Sequence, residues 1–137
     1  MEPMFSGTNR TIFIYALLGW ILGVIGAGLW HWHRIYVVCM ILFSTVIFLY
    51  ITISFVLEQL RSNRSVQLLA ASLACAWSVG LVVASICKTI DAADICDVQW
   101  VGEDHCTLAV SSAVCTWCSC LVWLLCGITA TKNSRAL

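Results

Sequence analysis

Long stretches without Asp, Glu, Lys, Arg or His alternate along this chain with short clusters that hold all of its charge. Four uncharged stretches stand out: Ile12 to Trp30, Ile35 to Leu57, Val66 to about Cys87, and Thr107 to Ala130. A bilayer's hydrocarbon core is about 30 Å thick and takes roughly 20 apolar residues to cross as a helix. Each stretch reaches that length. In lipid the chain must satisfy its own backbone polar groups, which leaves helices or closed barrels. Barrel strands would appear as runs of about ten residues in strict alternation, and that pattern is absent. The pattern predicts an all-α fold over 1–137 as a single domain: a four-helix transmembrane bundle of antiparallel up-down topology. Its helices are expected at about 12–30, 35–57, 66–87 and 107–130, with an outer loop at about 88–106. A cleaved signal peptide would end its first apolar run at a small-x-small site, whereas Trp30-His31-Trp32-His33-Arg34 follows here.

Composition strengthens this picture. The chain is 61% apolar and 10% charged, against about a quarter charged in soluble domains. Its formal net charge is zero, so no global basic field points to nucleic acid. The expected partners are membrane lipids, other membrane proteins or further copies of the chain. Positive residues in short connections favour the cytosolic side. With four spans, Arg10, Arg61, Arg64, Lys132 and Arg135 share one side, and Arg34 and Lys88 the other. Both the N and the C terminus are therefore expected to be cytosolic. The sequons Asn9-Arg10-Thr11 and Asn63-Arg64-Ser65 then face the cytosol, where they would go unused.

Local spacing suggests how the helices pack. Only His31 to Arg34 join the first two, so these form a hairpin of neighbours, with Trp30, Trp32 and Tyr36 as interfacial aromatics. The two histidines there read as part of a bland turn rather than a haem or metal site. Gly19, Gly23 and Ala27 recur every four positions in the first helix, and Ser72, Ala76, Gly80 and Ala84 in the third. Such stripes let helix backbones approach closely and are expected to hold the bundle together; a homo-oligomer face is the alternative. Ser112, Thr116 and Cys120 add a similar stripe in the fourth helix. The bulkier second helix, with Ile47, Phe48, Leu49, Ile51, Ile53 and Phe55, is expected to meet lipid.

Nine cysteines divide by position. Cys96 and Cys106 fall in the outer loop, where an oxidising compartment favours a disulfide; Cys87 is a rival partner. Cys126, near the inner end of the last helix, is a candidate palmitoylation position. Cys115 and Cys118 have the spacing of a redox pair, which makes a membrane thiol-redox protein the alternative function. Burial in hydrocarbon disfavours the reactive thiolate, and buried cysteine is commonly a small apolar residue.

The four stretches contain none of the ionisable groups that pumps and ion-coupled transporters use. No phosphate-binding glycine loop, zinc-ligand helix or nucleophile elbow is present. No cofactor or metal is implied. Asp91, Asp94 and Asp97 lack the spacing of a calcium loop and read as a solvated acidic segment.

Across nearly its full length the chain resembles the four-helix MARVEL-type proteins, particularly their short fungal forms. The likeness lies in a short first outer loop, a short inner loop and a cysteine-bearing second outer loop. It extends to Cys106-Thr107-Leu108-Ala109 leading into Val114-Cys115-Thr116-Trp117 and Val122-Trp123-Leu124-Leu125. The resemblance implies a non-enzymatic protein of the plasma membrane or an endomembrane. Such a protein organises lipids or proteins laterally, or assists membrane apposition, trafficking or assembly.

Overall fold

The computed structural model describes residues 7–30, 34–97 and 103–136. Among them the chain is helical apart from its turns, without strands. The order is α1 (Gly7–Leu29), α2 (Arg34–Val56), a single turn α3 (Glu58–Arg61), α4 (Arg64–Asp97) and α5 (Glu103–Ala136). All but α3 are long and apolar enough to cross a membrane.

The largest departure from the sequence reading is at the expected outer loop. Instead of ending near Cys87, α4 continues to Asp97, and α5 already begins at Glu103. No Gly or Pro interrupts the chain between Leu81 and Asp97, and the inward spacing Ser78, Leu81, Ser85, Lys88, Ala92 runs on unbroken. At 1.5 Å per residue α4 is about 51 Å long, well beyond a hydrocarbon core of about 30 Å. Its start is capped by Asn63, whose side-chain oxygen accepts hydrogen bonds from the amides of Ser65 at 3.0 Å and Val66 at 3.4 Å. Buried Gln67 closes the same turn, donating to the carbonyls of Ser54 and Leu60.

Helix α5 is the organising element. It packs most extensively on α4 and next on α1; α2 leans on α1 and more lightly on α4. Between α1 and α5 a ladder repeats every seven residues in both helices. Ser112 donates to the Gly26 carbonyl at 2.5 Å, Ser119 to that of Gly19 at 2.7 Å, and the Cys126 thiol to that of Ile12 at 3.8 Å. Between α4 and α5, Ser78 and Cys120 bond each other's carbonyls, at 3.0 and 3.3 Å. Trp20 of α1 donates to Thr45 of α2 at 3.0 Å and stacks on Phe48.

The interior is built mostly from small side chains, packed around Ile12, Ile51, Phe55, Leu81 and Trp123. Ala16, Ala27, Ala70, Ala71, Ala74, Ala109 and Ala130 are buried, as are Ser78, Ser85, Ser112 and Ser119. In lipid, where the surroundings are as apolar as the interior, close packing and interhelical hydrogen bonds replace the hydrophobic drive. The stripe of α1 lies on α5: a Cβ added at Gly19 would come within 2.8 Å of the Trp123 indole, and one at Gly23 within 3.2 Å of the Ser119 hydroxyl. Ala27 is fully buried.

The stripe assigned to the third helix is corrected. Ser72, Ala76 and Gly80 face outward on α4, and Ala84 is half-buried; a Cβ at Gly80 would meet nothing within 4 Å. The inward face is instead Ala70, Ala71, Ala74, Ser78, Leu81 and Ser85. Two faces of α4 carry small residues, and spacing alone does not tell them apart. The lipid assignment of α2 is also corrected in part. Ile51 and Phe55 are buried, and Ile47 and Phe48 pack against the core, while Leu49 and Ile53 stay exposed. Even so, α2 is the least buried of the four long helices, with 17% of its most apolar stretch buried against 33–39% in the others.

Candidate functional site

Extending α4 changes the environment of Lys88. The sequence reading put it at the start of a loop; here it is 1% exposed, enclosed by α1, α2 and α5. Its position follows from helix geometry. Lys88 lies on the inward line of Leu81, Ser85 and Ala92, so its stem enters the bundle. Counted from Arg64 it sits about 36 Å along the helix axis, near the far margin of a hydrocarbon core entered at Arg64.

Oxygen atoms and aromatic faces meet the ammonium. Nζ donates to the Thr116 hydroxyl at 2.7 Å and to the Gly26 carbonyl at 3.3 Å. It lies 5.0 Å from the Tyr36 ring centroid and 5.3 Å from that of Trp30. The two rings meet edge to face at 4.7 Å. Ring faces attract a cation through their quadrupole, and more so where water is excluded. Each oxygen is held in place by further bonds. Thr116 Oγ1 donates to the Ser112 carbonyl at 2.8 Å, and Ser112 Oγ donates to the Gly26 carbonyl that Lys88 also uses. The absence of a side chain at Gly26 permits this: a Cβ there would fall 2.9 Å from Thr116 Oγ1. The Trp30 indole N–H donates to Asp91 at 2.6 Å, one turn further along α4. Trp30, expected as a membrane-surface anchor, is thus turned inward and only 8% exposed.

Ionisable groups inside membrane bundles face the interior, pair with carbonyls and mark functional places. The arrangement around Lys88 joins four helices through one charge. Sequence reasoning misses it because a single cation after a long apolar run reads as the first residue of a loop. The signal was available in the three- and four-residue spacing of inward positions, which continues through it.

Beyond this cluster, at the end of α4, Cys96 is paired with Cys106 in a disulfide whose α carbons lie 4.8 Å apart. The pair connects the end of α4 to the start of α5 rather than closing a long loop. Cys87, the rival partner, is a free and exposed thiol. Cys115 and Cys118 are also free, the first half-buried and the second exposed on the outer face of α5. Cys126 is corrected as a lipidation candidate. It is fully buried against α1, where no acyl chain could reach its sulfur without opening the bundle. His31, Trp32 and His33 lie outside the described residues.

Between the outer parts of α4 and α5 runs an open groove of about 370 Å³, reaching from Thr89 and Trp117 to Cys96. No family model, curated protein or solved structure matches this chain.

Proposed function

We propose that the chain is a multi-pass integral membrane protein without catalytic activity. In this reading it organises lipids or proteins laterally in the plasma membrane or an endomembrane, or assists trafficking or the assembly of complexes. The observation that carries the reading is the distribution of side-chain size. Small residues make up most of the interior, around a few large side chains such as Phe55 and Trp123, while many bulky apolar ones point outward, among them Ile35, Val38, Leu42, Phe43 and Val46 on α2. A helix so lightly held by its own bundle offers its surface to lipid and to other helices.

An up-down arrangement is supported by the order of contacts. Ascending positions in α1 meet descending ones in α5, and the bonded pairs of α4 and α5 behave alike. Cytosolic termini are supported by the five-to-two division of Lys and Arg. The likeness to MARVEL-type proteins stays at the level of architecture and points the same way.

Reconstitution into vesicles at graded density tests the proposal. Lateral clustering of the protein, or a change in lipid order around it, is the expected result. Uniform dispersion with unchanged lipid order would count against it. Thiol trapping in native membranes provides the opposing arm. A mixed disulfide at Cys115 or Cys118 would assign the thiol-redox function instead.

A further inference from the structure

We propose that the groove between α4 and α5 is a binding site for one acyl chain of a phospholipid whose head carries an ammonium group, choline or ethanolamine. This deepens the lipid-organising role proposed above and rests on it.

The floor of the groove is formed by Ala92 and Ala113, each 6% exposed; Ala93 and Val114 rise at its sides, and Trp117 closes one flank. Its one hydroxyl, on Thr89, is already used. It donates to the Ser85 carbonyl at 2.8 Å and accepts from the Trp117 indole at 3.0 Å. The lining therefore offers an apolar slot with no unmet hydrogen bond. The lining residue Val110 is exposed, as are the apolar Ile86, Ile90 and Leu121 on the same two helices, so in a membrane the slot opens onto acyl chains. At its outer end stands Cys96, tied to Cys106.

Charge selects the head. Between Lys88 and Lys132 the chain has no Lys or Arg, but it holds Asp91, Asp94, Asp97, Glu103 and Asp104. Lys88 is turned into the bundle, and Asp94 and Asp97 are exposed at the end of α4. The ammonium of a zwitterionic choline or ethanolamine head is attracted to that end, and a head of net negative charge is repelled. The same charge argues against a second copy as occupant. A two-fold axis normal to the membrane would bring identical acidic ends together.

The test uses the full chain in nanodiscs doped with a phosphatidylcholine carrying a diazirine in its acyl chain, or a phosphatidylglycerol with the same chain. Cross-linked peptides are mapped by mass spectrometry. Phosphatidylcholine should label the segments around Ala93 and Val114 several-fold more densely than the equally outward face of α2 around Leu42 and Val46. Phosphatidylglycerol should label them several-fold less. Ala93→Phe, which fills the slot from an exposed position, should abolish the excess while labelling of α2 is unchanged. Equal labelling of groove and α2, or chain-to-chain cross-links at Val114 instead of lipid adducts, would overturn the site. Equal labelling by the two lipids would overturn the head-group selection, and this readout does not depend on how Ala93→Phe folds. If vesicle clustering persists while the groove shows no excess, the site fails and the organising role stands; loss of clustering alone has the opposite meaning.

Discussion

At the scale of single residues, Lys88 decides most. A buried ammonium is tolerated only while its donors are met, and here Thr116 and Gly26 meet them. Thr116→Val would leave Nζ with one oxygen, and the loss should be about 1–3 kcal/mol. Lys88→Met keeps the length and removes the charge. The oxygens it abandons retain bonds of their own, since Gly26 O still accepts from Ser112 and Thr116 still donates to the Ser112 carbonyl. That variant should therefore lose less, and in its background Thr116→Val should become nearly neutral. Unfolding of the four proteins in detergent micelles closes the cycle. An equal effect of Thr116→Val in both backgrounds would remove Thr116 as the partner of the cation. None of this was legible in a reading that ended the third helix at Cys87. A lysine at a helix end looks like a loop charge until the neighbouring helices that enclose it are known.

At the scale of helices, two glycines separate contact from open surface. Gly19→Leu must displace the Trp123 indole, which sits 2.8 Å from the position of its Cβ, whereas Gly80→Leu enters empty space. The first should lower the melting temperature sharply and the second should hardly move it; size-exclusion profiles should divide the same way. Equal behaviour would show that α1 does not depend on close approach to α5. The Cys96–Cys106 pair acts at the joined ends of α4 and α5. Cys96→Ser should remove roughly 2–3 kcal/mol of chain-entropy stabilisation. Amide exchange should quicken near Asp94 and Thr107, with little change near Ala74 and Ala130. Uniform acceleration through the bundle would contradict a local staple. The long apolar runs revealed the four spans because lipid imposes a length on each of them. Helix ends were less legible, since nothing in hydropathy marks where a helix leaves the membrane and continues. The choice between Gly80 and Ser78 as the contact face of α4 depended on which side α5 occupied, and that is a property of the assembled bundle.

At the scale of the whole molecule, single cysteines engineered beside Asn63 and beside Asp97 should label from opposite sides of the membrane. An impermeant reagent added outside should reach only the site beside Asp97; the reverse result would invert the proposed orientation. The small-residue interior has a further consequence, for variation. Positions such as Ala16, Ala74, Ser78, Ala109 and Ser119 can lose almost no volume and can gain a great deal. Damage there should come as crowding far more than as the voids that weaken leucine-rich cores. In a saturation screen for surviving protein, tolerance at each of these sites should fall steadily with side-chain volume. Exchange among Gly, Ala, Ser and Cys should be nearly neutral away from the serine donors of the α1–α5 ladder. Over generations such an interior would drift freely within a four-letter alphabet, keeping its shape while its sequence wanders.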